Sequence, residues 1–328
     1  MQSLLAMVLT LFQLALAPLG AVSPATWAML RPVEAMATLR LTPIPESVAR
    51  SVAARDEVPE WPVTSPAAPV IAHPAPPEVD ASSIRSADDL LRALETSGSD
   101  LRTLEAQMRH VRTFVLQGDV QTRVGRVVFA QDPAGEGKTV RRRFAVLFEK
   151  MQVGSRLEDE RKEYVFDGTW LVERLPDEKL FIKRQVVAPG ESFDPLRVGE
   201  GPFPLPIGQR RDDIVSRFKA ELVAGEAGLS EKDAAFGRDC FQLVLTPRGG
   251  RDSDAAFQEI RLWYEKAKLL PRMARTVDWE GDETLVQLID VRTNAAVDDA
   301  LLDTTTPPAG SGWDVQVRPW RESAEGGA

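Results

Sequence analysis

The sequence predicts a mainly β fold with a few helices: one antiparallel sheet curled into an incomplete β-barrel, a curved half-barrel covered by a helical lid. Three observations predict it. From Phe114 onward, apolar and polar residues alternate with a period of two in one run after another, the mark of strands with one wet face. Short turn signals join most of those runs, among them Asp167-Gly168, Pro176-Asp177-Glu178, Arg248-Gly249-Gly250 and Glu280-Gly281-Asp282, so that successive strands pair as a meander. Helical periodicity is slight, about two and a half helices against about ten strands. The apolar side of such a sheet must therefore be buried by its own curvature, by the lid or by a ligand.

The elements follow in order. An apolar run from Leu4 to Val22, interrupted by Thr10, Gln13 and Pro18, reads as a signal peptide or a short N-terminal membrane anchor over residues 1–23. It lacks the usual positive start, since no Lys or Arg precedes Arg31, and no Cys follows the small-residue stretch Gly20 to Ser23, which argues against a lipid-anchored lipoprotein. Twelve of the 24 prolines lie between Pro18 and Pro77, whereas 12 of the 13 phenylalanines lie after residue 80. Residues 24–80 are thus expected to be a disordered Pro-rich linker, residues 81–320 the folded domain and residues 321–328 a disordered tail.

Within the domain, Ser86 with Asp88 and Asp89 marks a helix start, and Leu90, Leu91 and Leu94 give its apolar stripe. Leu101, Leu104, Met108 and Val111 stand at helical spacing and predict a second helix after a break at Gly98. The alternation then takes over, with Phe114, Leu116, Gly118 and Val120 on one side of a first strand and Phe144, Val146 and Phe148 on one side of another. Further strands are expected at 164–166, 170–175, 180–187, 240–246, 256–264, 270–279 and 284–291. One segment interrupts them: Gly201 to Gly208 carries three prolines and cannot donate a regular ladder of hydrogen bonds. Asp212, Asp213, Ile214 and Phe218 suggest a short helix after it. An apolar proline loop followed by a helix has the makings of a lid.

The residues that carry chemistry are scarce. With 40 basic and 49 acidic residues the net charge is −9, which disfavours a nucleic-acid partner. Cys240 is the single cysteine, and His73 and His110 are the two histidines, so disulfides, thiolate metal clusters and His-based triads are all disfavoured. Gly135-Glu136-Gly137-Lys138-Thr139 invites a phosphate-loop reading, but Asp132 stands where the first glycine belongs and a strand pattern follows where a helix is required. Glu158, Asp159 and Glu160 are interspersed with Arg156, Arg161 and Lys162, the pattern of a solvated charged segment. No Gly-x-Ser-x-Gly elbow is present. The expectation is a protein that is not an enzyme, with no cofactor and no metal.

Several stretches together resemble a known family. Phe241-Gln242-Leu243-Val244-Leu245-Thr246-Pro247, then Phe257 to Trp263 and Leu269 to Val277, lead to Asn294-Ala295-Ala296-Val297-Asp298 and Thr306-Pro307-Pro308-Ala309-Gly310; upstream, Tyr164-Val165-Phe166-Asp167-Gly168-Thr169-Trp170-Leu171 supplies a central Asp-Gly hairpin. In order and spacing these resemble the LolA-like superfamily of periplasmic outer-membrane lipoprotein carriers, over residues 98 to 318. The resemblance implies a half-barrel that holds acyl chains of lipoproteins or lipid beneath a helical lid, working as a monomeric carrier in the periplasm or cell envelope, with envelope membrane proteins as further partners. It implies a cavity lined by Leu104, Met108, Phe114, Leu116, Phe144, Val146, Phe148, Trp170 and Phe181, and a lid containing Phe203, Leu205, Ile207, Ile214 and Phe218. Family carriers commonly have an Arg-Pro pair after the second strand, whose arginine locks the lid through helix carbonyls; the corresponding stretch Ala130 to Lys138 lacks it, and Arg142 or Arg143 stands nearest its place. The alternative is a non-catalytic envelope sensor or scaffold that uses the same fold to bind a protein partner.

Overall fold

In the computed structural model, residues 80–98, 101–132, 141–188, 198, 210–253 and 255–320 are described. Twelve strands form one open sheet: β1 (Thr103–Phe114), β2 (Asp119–Gln131), β3 (Arg142–Val153), β4 (Arg156–Phe166), β5 (Trp170–Leu175), β6 (Leu180–Gln185), β7 (Phe218–Val223), β8 (Cys240–Pro247), β9 (Phe257–Glu265), β10 (Pro271–Asp278), β11 (Glu283–Thr293) and β12 (Asp314–Arg318). Their spatial order is β12-β6-β5-β4-β3-β2-β1-β11-β10-β9-β8-β7. Every neighbouring pair is antiparallel except β12 with β6, which is parallel. The two ends, β12 and β7, do not pair with each other, so the half-barrel stays open.

Among the described residues three α-helices accompany the sheet: α1 (Ala87–Ser97), α2 (Arg211–Arg217) and α3 (Glu231–Gly237). Helix α1 begins where the sequence predicts, with a reciprocal capping box in which the Ser86 hydroxyl accepts from the Asp89 amide and the Asp89 carboxylate accepts from the Ser86 amide. It buries Leu90, Leu91 and Leu94. Helices α1 and α2 pack on each other and against the edge strand β7.

The second predicted helix is instead strand β1. Its burial alternates strictly, with Leu104, Ala106, Met108, His110 and Arg112 on one face. Leu104 and Met108 fit both periods because positions four apart share a face in a helix and in a strand alike. The small Ala106 between them and the polar His110 after them hid the alternation. The hairpin turn also falls earlier than the pattern suggested. Strand β1 ends at Phe114, residues 115–118 turn, and Gly118 adopts φ +69°, a conformation suited to glycine.

Both faces of the sheet are covered. On one, Val128, Ala130, Ala145, Leu147, Val165, Val172 and Phe181 meet Leu302, with Val297, Leu301 and Trp313 packed against them. Polar ties hold that C-terminal segment down: the Thr304 hydroxyl donates to Asp167 at 2.7 Å, Lys183 donates to the Thr304 carbonyl at 2.9 Å, and Arg143 pairs with Asp299 at 3.2 Å. Farther along the same face, Cys240, Trp263 and Met273 pack with Leu229 and Phe236 of the α3 region. This face is called the outer face below, and the opposite one the inner face.

Candidate binding face

Strand register places the inner face residue by residue. One cross-strand row runs Leu171, Phe166, Phe144, Phe129 and Leu104. The next runs Glu173, Tyr164, Val146, Val127 and Ala106, and a third runs Lys162, Phe148, Gly125, Met108 and Leu288. A fourth begins at Arg123 and continues through His110, Val286, Ala274, Leu262 and Leu243 to Leu222 on the edge strand. The face is thus a long apolar floor whose side chains are almost wholly buried, Val146 at 0% and Phe148 at 2% exposure. Gly125 belongs to the design of the floor: a Cβ there would lie 1.9 Å from the Leu147 carbonyl oxygen. Only glycine lets β2 and β3 approach this closely, at a point where the register slips by one residue between Val124 and Gly125.

One end of the floor is polar. Arg123, 2% exposed, donates to Glu160 at 2.8 Å and to Gln121 at 3.1 Å. Lys162 pairs with Glu173 at 3.4 Å, Arg184 reaches the same carboxylate at 3.5 Å, and the Tyr164 hydroxyl donates to it at 3.4 Å. Arg112 pairs with Asp282 at 3.6 Å and stacks over Phe114 at 4.4 Å. His110 sits among them with its ring edge-on to Phe148, centroids 5.9 Å apart. Its Nδ1 is buried and has no hydrogen-bond partner among the described residues.

Burial sets the protonation of this group. His110 is pushed down to about 3, first by desolvation and then by the Arg123 and Arg112 charges, so its ring is neutral at physiological pH. Burial also lowers Lys162, an effect opposed by Glu173. Tyr164 is raised well above the usual phenol range by burial, then by the Glu173 charge. No group of three or more His, Cys, Asp or Glu side chains is arranged to hold a metal ion among the described residues.

The sequence-predicted site residues divide accordingly. Leu104, Met108, Phe144, Val146 and Phe148 share the inner face, and Phe114 lies half-buried at its end. Three do not belong there. Leu116 sits in the β1–β2 turn at 87% exposure and can line nothing. Trp170 and Phe181 point to the outer face, Phe181 within the cluster under the C-terminal segment and Trp170 beneath the Lys183 ammonium at 5.3 Å. Of the lid residues, Ile214 is buried on α2, whereas Phe218 is the first residue of β7 and pairs with Pro247. Phe203, Leu205 and Ile207 lie outside the described residues, as do Gly135 to Thr139 and the N-terminal run 4–22.

Arg143 is no lid lock: it bonds Asp132 at 3.0 Å and Asp299 at 3.2 Å, tying down the C-terminal segment on the outer face. Arg142 donates to the Gln131 side chain at 3.2 Å. From the turn after β8, Arg248 Nε donates to Val215 O of α2 at 2.8 Å. The sequence reading treated Arg248 as a turn residue and missed this bond, and it also missed the polar end of the floor. His110 belonged to the supposed helix, and Arg112 and Arg123 stood at positions assigned no face. The signal available for the latter group was the alternation of His110 and Arg112 with Val111 and Thr113.

No family model matches the chain, and no curated protein matches its sequence. Solved structures do show similarity. A DUF1329 family protein from Desulfovibrio piger is 18% identical, with 66% of this chain and 95% of that chain covered and a TM-score of 0.35. A putative outer membrane lipoprotein-sorting protein domain from Vibrio parahaemolyticus is 13% identical over 66% of this chain and 95% of that chain, at a TM-score of 0.33. A LolA superfamily protein from Nitrosomonas europaea is 10% identical over 67% of this chain and 98% of that chain, at 0.24. The open twelve-stranded sheet with helices packed at one edge has the half-barrel architecture that the sequence predicts.

Proposed function

We propose that this chain is an exported, non-catalytic carrier-type domain that binds the acyl chains of lipoproteins or lipids on its inner face, for transport or sorting in the periplasm or cell envelope. The observation that carries the reading is the unbroken apolar floor, in which Leu104, Met108, Phe129, Phe144, Val146 and Phe148 adjoin across three strands. A palmitoyl chain laid against such a surface gains roughly 12 kcal/mol gross at about 0.8 kcal/mol per methylene. Export is supported by the apolar run at residues 4–22. No helix among the described residues is long and apolar enough to cross a membrane.

One observation favours the second reading, a sensor or scaffold that uses the same fold to bind a protein partner. Val146, Phe148 and Tyr164 are already buried by the protein's own chain, at 0%, 2% and 1% exposure. An acyl chain must therefore displace whatever covers them. Native mass spectrometry of the full chain, purified from its own envelope without detergent, separates the two. Bound acyl lipid that is lost in Phe148→Glu supports the carrier. A protein that neither carries lipid nor takes it up from vesicles refutes it and leaves the partner-binding reading.

A further inference from the structure

An apolar floor needs only a hydrocarbon; a polar end to that floor demands something more of a ligand. Polar groups inside a protein are normally satisfied, and a buried one without a partner calls for an explanation. Here the buried ring nitrogen is His110 Nδ1. Its strand register sets it directly beside Arg123 and one row from Met108, Phe148 and Lys162. The cations around it are held in place: Arg123 by Glu160 and Gln121, Lys162 by Glu173. Fixed N–H donors in a site closed to water bind an oxyanion more strongly than the same donors in solvent, since little reorganisation is needed and the local dielectric is low. The apolar rows begin on the next residues, so one bound molecule touching both regions must be amphiphilic.

We infer that His110, Arg123 and Lys162 hold the anionic head, a carboxylate or phosphate, of an amphiphile whose hydrocarbon lies along Met108, Phe148 and Val146. The assignment rests on the acyl-binding reading above and narrows its ligand class to anionic amphiphiles. Glu160 and Glu173 keep the cations oriented and discriminate against a second negative charge, which favours a singly charged head.

The test uses the full chain, freed of bound lipid, in equilibrium dialysis at pH 7.5 with three probes: laurate, dodecanol and inorganic phosphate. Laurate should bind at least about tenfold tighter than dodecanol, the effect of about one charge-assisted hydrogen bond. Lys162→Met should lower laurate affinity to the dodecanol level and leave dodecanol binding within about twofold, whereas Lys162→Arg should keep the preference. The comparison of the two probes on the unaltered chain does not depend on any variant folding. Equal binding of laurate and dodecanol overturns the headgroup assignment and leaves the carrier reading standing. Binding of neither overturns both. Inorganic phosphate that binds as tightly as laurate and displaces it marks a free-anion site and overturns the amphiphile assignment.

Discussion

His110 should make this protein acid-labile well above the pH at which carboxylates titrate. The ring lies between Arg123 and Val286 in the register, with Arg112 two residues along its own strand and Phe148 edge-on at 5.9 Å. Desolvation and the two arginine charges push its pKa down to about 3 in the folded chain. The unfolded chain has an ordinary histidine at about 6.5. A depressed folded pKa means that the unfolded state takes up a proton first. Stability is therefore intact above about pH 6.5 and is lost progressively as pH falls toward 3. At pH 5 the unfolded chain has gained about 1.5 units of protonation free energy that the folded chain has not, or about 2 kcal/mol. Urea unfolding of the wild type and His110→Leu at pH 7.5, 6 and 5 measures it. The wild type should lose about 2 kcal/mol more than the variant between the extremes, because the carboxylates and His73 titrate in both proteins. Parallel pH profiles, or an NMR titration of the His110 ring with its midpoint above 6 in the folded protein, would refute the reasoning.

Other expectations test the fold and its ties. Gly125→Ala forces a methyl group against the Leu147 carbonyl and should cost about 3 kcal/mol in chemical denaturation; an unchanged midpoint would mean that β2 and β3 are not so close. Trp263→Phe removes the 2.6 Å bond from the indole N–H to the buried Gly225 carbonyl and should cost about 1–3 kcal/mol, visible as a lower thermal midpoint. Arg248→Ala releases the Val215 carbonyl of α2, so amide exchange in α2 should speed by about tenfold while exchange in β3 and β4 stays unchanged; equal protection in α2 would deny the arginine its role.

Much of the meander was legible because its signals are local. The Asp167-Gly168 turn can be read directly: Gly168 has φ +102°, and the Asp167 carboxylate accepts from the Thr169 and Trp170 amides at 3.0 and 2.9 Å. The Ser86 capping box is equally local. Facing was harder. The residues of β5 and β6 are apolar on both sides, because the segment 297–302 covers the outer face as fully as the inner face is covered. Alternation then marks a strand without saying which parity turns inward, and Trp170 and Phe181 were placed on the wrong side. The β12–β6 pairing was illegible for a different reason: a parallel edge between segments more than a hundred residues apart leaves no turn signal.

The sequence by itself determined the class of the fold, the start of α1, most of the strands and the scarcity of cysteine and histidine. Each of these depends on residue type and on neighbours a few positions away. The tertiary structure decided which side of each strand forms the floor, and that Arg143 ties down the C-terminal segment while Arg248 holds α2. It also brought His110, Arg123, Lys162 and Glu173 together from four strands. Register between distant strands sets those outcomes, and a shift of a single residue would have turned every one of these side chains to the opposite face.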